Sequence, residues 1–198
     1  MKKLKLYCIR HGETYGNSLK RYIGVTEEVV TAEGFLTLDK IHYEQVEHVF
    51  TSPLRRCIQS SEYIYRNIPK TVIADLRETD FGEFENKNYQ ELKDNIKYQE
   101  WIDTQGKYGF PNGETPTDVK KRCEIAIDSI IKICQQNAYQ KVAIVTHGGT
   151  IMSIMEAFVS PHKAFYEWSV QNGEGYVVEV EEWQNNNKKL KVINKLQN

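Results

Sequence analysis

The chain has 198 residues, of which 40% are hydrophobic and 27% are charged, and this length and composition suit one compact globular domain. The net charge of −1 argues against a nucleic-acid-binding protein, which usually carries a basic excess. No apolar run reaches the roughly 20 residues of a membrane-spanning helix, and the amino terminus lacks the apolar core of a signal peptide. We therefore expect a single domain over residues 1–198, located in the cytoplasm, with no nucleic-acid or membrane partner.

The predicted elements start with a strand at Leu4–Ile9, directly followed by Arg10 and His11. Another apolar run, Val142–Thr146, is followed by His147. Runs that are apolar on both faces are typical of central strands in a parallel sheet. Between and beyond these runs, we predict a strand at 46–51, a helix at 54–68 opened by Ser52 and Pro53, a strand at 72–74, a helix at 117–136, a helix at 150–158, and strands at 176–183 and 189–192 joined by a turn at 184–187.

Strands that alternate with helices predict an α/β fold with a mostly parallel sheet. The segment 87–112 differs, because it places aromatic residues among polar ones without a long helical or strand period. We expect it to form short helices and loops over one end of the sheet. The predicted architecture is a three-layer sandwich, in which helices flank a mostly parallel central sheet and 87–112 is a small helical and loop cover.

The cysteines give no sign of a metal site or a disulfide framework. None of Cys8, Cys57, Cys123 and Cys134 forms a C-x-x-C pair or has a histidine at metal-ligand spacing. We interpret them as buried free thiols of a protein in a reducing compartment, and we expect no bound metal.

Two histidines and an arginine end the two predicted central strands. Ligands of parallel sheets bind beyond the carboxyl ends of the strands, where Arg10, His11, His147 and Gly148 lie. If the two strands are neighbours, these side chains face one crevice, and the helix after Gly149 points its positive amino-terminal end there. The pattern predicts a site for an anion.

The residues around this crevice resemble the motifs of the histidine phosphatase superfamily. The first is RHGET at 10–14, followed by Asn17. Further segments follow in the family's order: TSPLRR at 51–56, LRE at 76–78 with FGEFE at 81–85, GET at 113–115, and VTHGG at 145–149. Together they extend from residue 4 to about residue 158 of this chain.

The resemblance implies a metal-independent phosphomonoesterase with no cofactor that acts on a small phosphorylated metabolite. It implies that His11 is the nucleophile that becomes phosphorylated, that Glu78 is the general acid, and that His147 assists at the phosphate. Arginine binds phosphate oxygens in pairs, and we expect Arg10 and Arg56 to do so. The implied phosphate ligands are Arg10, Asn17, Arg56 and Gly148.

Some roles stay open at this point. Glu83 or Glu85 can replace Glu78 as the acid, and Glu13 is interpreted as ordering the loop. His42, His48 and His162 have no motif context and are interpreted as surface or packing residues.

The substrate is less defined than the mechanism. The stretch RYIGVT at 21–26 resembles that of α-ribazole phosphatases, which implies that Arg21 and Tyr22 contribute to substrate specificity and that α-ribazole 5′-phosphate is a candidate substrate. The alternatives are a broad-specificity phosphatase, a cofactor-dependent phosphoglycerate mutase and a non-catalytic protein that binds phosphorylated ligands. The chain departs from the family pattern at Gly16, Asn86 and Thr115, none of which is a catalytic group.

Overall fold

The computed structural model describes residues 3–184 and 187–197. In chain order the strands and helices are β1 (Lys5–Arg10), α1 (Tyr15–Ser18), α2 (Ala32–Leu38), β2 (His48–Thr51), α3 (Arg55–Ile64), β3 (Lys70–Val72), α4 (Tyr89–Leu92), α5 (Ile96–Asp103), α6 (Pro116–Asn137), β4 (Lys141–Thr146), α7 (Gly148–Phe158), β5 (Gly175–Gln184) and β6 (Asn187–Leu196). Short 3₁₀ helices occupy Ala74–Leu76, Gly82–Phe84 and Phe165–Trp168.

One six-stranded sheet has the order β3-β2-β4-β1-β5-β6. The first four of these strands run parallel, and β5 and β6 are antiparallel additions beside β1. The prediction of an α/β fold with a mostly parallel sheet is confirmed. Strands β1 and β4 are direct neighbours, and Arg10 is paired with Thr146, so both histidines that follow these strands emerge at the same edge of the sheet.

Side chains of β1 alternate between two hydrophobic cores, as expected for a strand with helices on both faces. Leu6 and Cys8 belong to the larger core, which includes the inner faces of α6 and α7. Tyr7 and Ile9 belong to the second core, which includes Cys57 of α3. All four cysteines are buried and free, as predicted.

Helix α6 begins and ends where local chemistry requires it. Thr115 Oγ1 accepts a hydrogen bond from Asp118 N at 3.2 Å, and Asp118 Oδ2 accepts one from Thr115 N at 3.1 Å. This reciprocal capping box, with Pro116 in the first turn, satisfies amide groups that have no partner inside the helix. The helix ends at Asn137, and the residue that caps it, Ala138, has a left-handed backbone with φ of 57°. The predicted helix at 117–136 is one residue shorter at each end.

The helix predicted at 54–68 is shorter in the structure. It ends at Ile64, since the next residue, Tyr65, leaves helical geometry with φ of −124° and ψ of 54°. Ser52 is not the residue that caps it; Leu54 takes that position, and the Ser52 hydroxyl is used at the site described below. The strand predicted at 72–74 lies at Lys70–Val72 instead. The predicted turn at 184–187 includes residues outside those that the structure describes.

The segment 87–112 forms a cover with its own small core. Helices α4 and α5 lie in this segment, and Phe84, Leu92 and Tyr98 form a cluster separate from the two cores at the sheet. Partly buried aromatic side chains complete it: Tyr22, Phe81, Trp101 and Phe110. The expectation of short helices and loops here is confirmed.

Within residues 3–184 and 187–197, no helix is both long enough and apolar enough to cross a membrane. In the same described residues, His, Cys, Asp and Glu side chains form no group of three or more that could hold a metal ion.

Candidate active site

The predicted crevice exists at the carboxyl ends of β1 and β4. The imidazole rings of His11 and His147 lie with their centroids 5.1 Å apart, at an interplanar angle of 65°. Both rings are almost completely buried, at 3% and 0% exposure. The parallel pairing of β1 and β4 therefore places the two histidines side by side, as the sequence predicted.

The tautomer of His11 is determined by its neighbour. Its Nδ1 lies 2.7 Å from the Gly12 carbonyl oxygen, and because a carbonyl only accepts, Nδ1 carries the hydrogen and Nε2 keeps a lone pair. Gly12 is held in turn by its N–H, which donates to Ser60 Oγ at 2.9 Å. Burial lowers the pKa of His11 well below its ordinary value, and the guanidinium groups of Arg56 and Arg10 lower it further. Nε2 is thus a neutral nitrogen nucleophile at physiological pH.

Arg10 offers unused hydrogen-bond donors beside this nitrogen. Its NH1 donates to the Val170 carbonyl at 2.8 Å, but its Nε is buried without a hydrogen-bond partner in the described part of the chain. Gly148 lies against the guanidinium, since a Cβ at this position would be 3.4 Å from Arg10 Nε. A buried cationic donor without a partner costs free energy unless a ligand satisfies it, and this indicates an anion site.

Arg56 lies at the site, and most of its N–H groups bond within the chain. Its NH1 donates to the Thr26 carbonyl at 2.9 Å, and its NH2 donates to those of Gly24 at 2.8 Å and Ile23 at 3.3 Å. The Arg56 Nε donates to His147 Nδ1 at 3.3 Å. A guanidinium has five N–H groups, so one remains in this arrangement as a donor to a phosphate oxygen, and phosphate binding by Arg56 stays a prediction. Arg56 supplies positive charge and holds the loop 23–26.

His147 links the site to the segment after β2. Because Arg56 Nε donates to its Nδ1, His147 carries its hydrogen on Nε2, which donates to Ser52 Oγ at 2.7 Å. Burial lowers the pKa of His147 well below its ordinary value, and the nearby Arg56 acts in the same direction. The sequence analysis interpreted Ser52 as the start of a helix, whereas in the structure its hydroxyl contacts His147.

Glu78 lies at the amino terminus of α7. Its Oε2 accepts a hydrogen bond from Gly149 N at 3.0 Å, and its Oε1 accepts one from Thr79 N at 2.9 Å. A Cβ at position 149 would lie 2.6 Å from Glu78 Oε1, so a larger residue there would displace this carboxyl group from its present position. Burial lowers the pKa of Arg10, and the Glu78 carboxylate opposes this effect, since it lies close to the guanidinium.

The two alternative acids have other roles. Glu83 forms a salt bridge with Lys97 at 2.6 Å and is partly exposed. Glu85 Oε1 accepts hydrogen bonds from Gly24 N and Thr26 N, both at 2.9 Å. Glu85 and Arg56 therefore hold the same loop by its amide and carbonyl groups respectively, and Glu78 is the carboxyl group that lies at the crevice.

The orientation of the Asn17 side chain depends on a residue that the sequence did not reveal. Asn17 Oδ1 accepts hydrogen bonds from Asn172 Nδ2 at 3.0 Å and Thr14 N at 3.2 Å. This arrangement assigns the amide and leaves Asn17 Nδ2 as the free donor. Asn172 Nδ2 also donates to the His11 carbonyl at 3.1 Å. No sequence motif predicted Asn172, because it lies 155 residues from Asn17 and only the fold brings them together.

We expect Asn172→Ala to lower kcat/KM for a phosphomonoester by about tenfold, the equivalent of one or two hydrogen bonds. The free amide of Asn17 then loses its orientation, so inhibition by inorganic phosphate should weaken in parallel. Gln171→Ala is the matched control, because Gln171 is the exposed neighbour in the chain. Unchanged kcat/KM and unchanged phosphate inhibition in Asn172→Ala would contradict this role.

The two predicted specificity residues contact the cover. Arg21 NH2 forms a salt bridge with Glu91 of α4 at 2.9 Å, and its NH1 donates to the Asn86 carbonyl. The Tyr22 hydroxyl lies 2.9 Å from that of Tyr98. The Arg21 guanidinium therefore holds the cover segment in place, and the contribution of Arg21 and Tyr22 to substrate specificity stays a prediction.

With this geometry established, comparison with known proteins decides the family. A sequence profile described as the histidine phosphatase superfamily (branch 1) matches residues 6–194. The chain belongs to the histidine phosphatase superfamily. The resemblance stated from the motifs is confirmed, and so is the prediction that this chain is a histidine phosphatase enzyme.

The names of similar proteins in this superfamily give different activities. It is 26% identical to the "Putative phosphoserine phosphatase 2" of Hydrogenobacter thermophilus over 76% of each chain. It is 29% identical to the "Probable phosphoglycerate mutase GpmB" of Yersinia pestis, over 73% of this chain and 70% of that protein. The crystal structure of the α-ribazole phosphatase from Shigella flexneri is similar with a TM-score of 0.76 at 24% identity, covering 96% of each chain. This last likeness shows the fold alone.

Proposed function

We propose that this protein hydrolyses a phosphomonoester through a phosphohistidine formed at His11. The observation that carries the proposal is the state of His11, whose hydrogen is fixed on Nδ1 by the Gly12 carbonyl at 2.7 Å. Its Nε2 lone pair therefore lies in a buried site beside two guanidinium groups, and the Nε of Arg10 has no partner among the described residues. Positioning and charge neutralisation are the main requirements for phosphoryl transfer, and this arrangement meets both.

In the first step, His11 Nε2 attacks phosphorus and a nitrogen–phosphorus bond forms as the bond to the leaving oxygen breaks. Arg10 and Asn17 Nδ2 donate to the phosphoryl oxygens. Arg56 adds positive charge, and His147 adds a neutral imidazole held in a fixed orientation. Glu78, as the carboxylic acid, gives its proton to the leaving alkoxide. The resulting carboxylate is stabilised by the N–H groups of Thr79 and Gly149, which already bond to it.

In the second step, water attacks the phosphohistidine. Glu78 takes the proton from this water as the general base, the nitrogen–phosphorus bond breaks and inorganic phosphate leaves. Each proton that Glu78 gives in the first step returns in the second, so the enzyme is regenerated. This sequence uses no group outside the chain, the substrate and water.

We propose α-ribazole 5′-phosphate as the substrate, with the cytoplasm as the location and assembly of the cobalamin lower ligand as the role. The support is the stretch at 21–26 together with the likeness of fold to an α-ribazole phosphatase. The enzyme then binds one small phosphorylated metabolite and needs neither metal nor cofactor.

The test measures phosphate release from α-ribazole 5′-phosphate, p-nitrophenyl phosphate and 3-phosphoglycerate in the presence of a chelator. We expect kcat/KM for the ribazole substrate to be higher by about a thousandfold, roughly 4 kcal/mol of recognition beyond the phosphate. Vanadate, a five-coordinate mimic of the phosphoryl group, should inhibit. Equal rates on all substrates would contradict the proposed substrate but not the mechanism, whereas formation of 2-phosphoglycerate without phosphate release would indicate a mutase.

The neutral histidines predict a pH dependence of stability. Since the pKa values of His11 and His147 are lowered in the folded state, the unfolded chain binds protons below about pH 6.5 that the folded chain does not. The free energy of unfolding should therefore fall as the pH decreases from 6.5 to 5, by up to about 1.4 kcal/mol per pH unit for each histidine. Urea titrations over this range should show a smaller decrease for His11→Asn than for the wild type. If the free energy of unfolding changed equally with pH in the wild type and in His11→Asn, the predicted role of His11 in this pH dependence would be wrong.

A further inference from the structure

A cavity of about 320 Å³ lies next to the crevice and is not part of the phosphate site. The cover, the first turns of α6, the middle of α7 and the 3₁₀ helix at Phe165–Trp168 surround it. Of the residues assigned above to phosphoryl transfer, Thr79, whose N–H bonds to Glu78, is the one that lines it. Its volume is at the lower end of the range for ligand pockets, about 300–1,000 Å³, and this gives room for one ring system.

Thr79 connects this cavity to the proposed acid. It lines the cavity, and its N–H donates to Glu78 Oε1. A Cβ on Gly149 would lie 2.6 Å from Glu78 Oε1 and 3.3 Å from Thr79 Oγ1, so the carboxyl group and this hydroxyl meet at one point of α7. Ser153, one turn further along the same face of α7, also lines the cavity. The cavity therefore begins where the leaving group receives its proton.

Aromatic side chains from separate elements form much of its wall. Trp101 and Phe110 come from the cover, and Phe165 and Tyr166 come from the 3₁₀ helix. Aromatic walls favour a flat ring, which packs against them by stacked or edge-to-face contacts. The indole Nε1 of Trp101 is a buried donor without a partner among the described residues, and a ring heteroatom is the kind of group that accepts from it.

The charges at the wall disfavour an anionic leaving group. Glu114 is paired with Arg122 and Arg77, and Glu156 accepts a hydrogen bond from Phe165 N at 3.1 Å. The cation at the wall, Lys120, is exposed. A carboxylate placed here, such as that of phosphoserine or phosphoglycerate, would approach Glu156 and leave the aromatic wall unfilled.

We propose that this cavity binds a neutral, planar heteroaromatic ring in the leaving group of the substrate, and that it makes the enzyme prefer ring-bearing phosphomonoesters over compact anionic ones. The proposal rests on the phosphatase function stated above and adds where the organic part of the substrate lies. The phosphate is held at the crevice, the oxygen that leaves is next to Glu78, and the ring extends past Thr79 into the cavity.

The test compares α-ribazole 5′-phosphate with ribose 5-phosphate, because these substrates share the phosphate and the sugar and differ at the anomeric carbon, which carries the ring in one and a hydroxyl group in the other. We expect the wild type to prefer the ring-bearing substrate in kcat/KM by at least about a hundredfold. Ser153→Phe fills the cavity and should lower this ratio at least tenfold. Ser129→Phe is the matched control, since Ser129 is on α6 away from the cavity, and its ratio should equal that of the wild type.

A second variant protects the test against misfolding of Ser153→Phe. Tyr166 is 61% exposed, so Tyr166→Ala removes part of the aromatic wall without disturbing a core, and it should lower the same ratio several-fold. A wild-type ratio near one, or a ratio that neither variant changes, would overturn the proposal. With either of these two results, hydrolysis of ribose 5-phosphate that depends on His11 would still support the proposed phosphatase function. Absence of hydrolysis of either substrate and of p-nitrophenyl phosphate would instead overturn the proposed function.

Discussion

Replacement of His11 by asparagine should lower kcat/KM for p-nitrophenyl phosphate by at least about a thousandfold, because no other side chain can take the place of a lost nucleophile. Asparagine is small enough to fit the buried site and keeps an amide that can donate to the Gly12 carbonyl. The melting temperature should therefore change little compared with the change in rate. His42→Asn is the matched control, since His42 is exposed and outside the site.

The same variant should also lose the covalent intermediate. Rapid acid-free quenching of the wild type with ³²P-labelled substrate should give labelled protein, and the label should be stable in base and labile in acid, as expected for a nitrogen–phosphorus bond. His11→Asn should give no label, and His42→Asn should give as much as the wild type. If His11→Asn kept most of the phosphatase rate, the whole mechanism would be wrong.

Replacement of Glu78 by glutamine should have an effect that depends on the leaving group. General acid catalysis contributes typically about 10²–10⁴-fold, so we expect kcat on an alkyl phosphomonoester to fall by about this factor. With p-nitrophenyl phosphate, whose leaving group needs no proton, the first step should be affected far less. Measurement of phosphohistidine formation in single turnovers separates this step from the attack of water.

Glu83→Gln is the control for this experiment, because Glu83 is the alternative acid from the same motif and pairs with Lys97 at the surface. It should retain the wild-type rate on both classes of substrate. An equal loss on alkyl and aryl substrates in Glu78→Gln would mean that Glu78 positions the site and does not transfer the proton. A selective loss on alkyl substrates in Glu83→Gln would assign the acid role to Glu83.

The elements that could be predicted from the sequence are those whose signals are local. The apolar runs that end at Arg10 and Thr146 identified β1 and β4, because a strand buried on both faces has little choice of residue type. Helix α6 was predicted within one residue at each end, since its apolar period is long and its start has a capping box. The sequence left open whether β1 and β4 are neighbours, and their parallel pairing in the structure brings His11 and His147 together.

The features that could not be predicted depend on contacts between distant segments. Asn172 has no motif context, and its role at Asn17 exists only because the turn before β5 folds back onto the end of β1. Arg56 was expected to bind phosphate with two nitrogens, but the loop 23–26 uses most of its donors. A sequence pattern identifies which residue types are present, but it does not reveal how their hydrogen-bond donors are divided between ligand and chain.

The separate small core of the cover has a consequence for how new specificities arise. Because Phe84, Leu92 and Tyr98 pack apart from the cores at the sheet, substitutions in the cover can be tolerated as long as this cluster survives, and the strands that carry the phosphate chemistry are not disturbed. Loops and covers on a rigid scaffold are where function diversifies. In evolutionary terms, the proposed chemical step and the proposed recognition module lie in separately packed parts of the chain, so we expect directed evolution limited to residues 87–112 to be a direct route to new substrates.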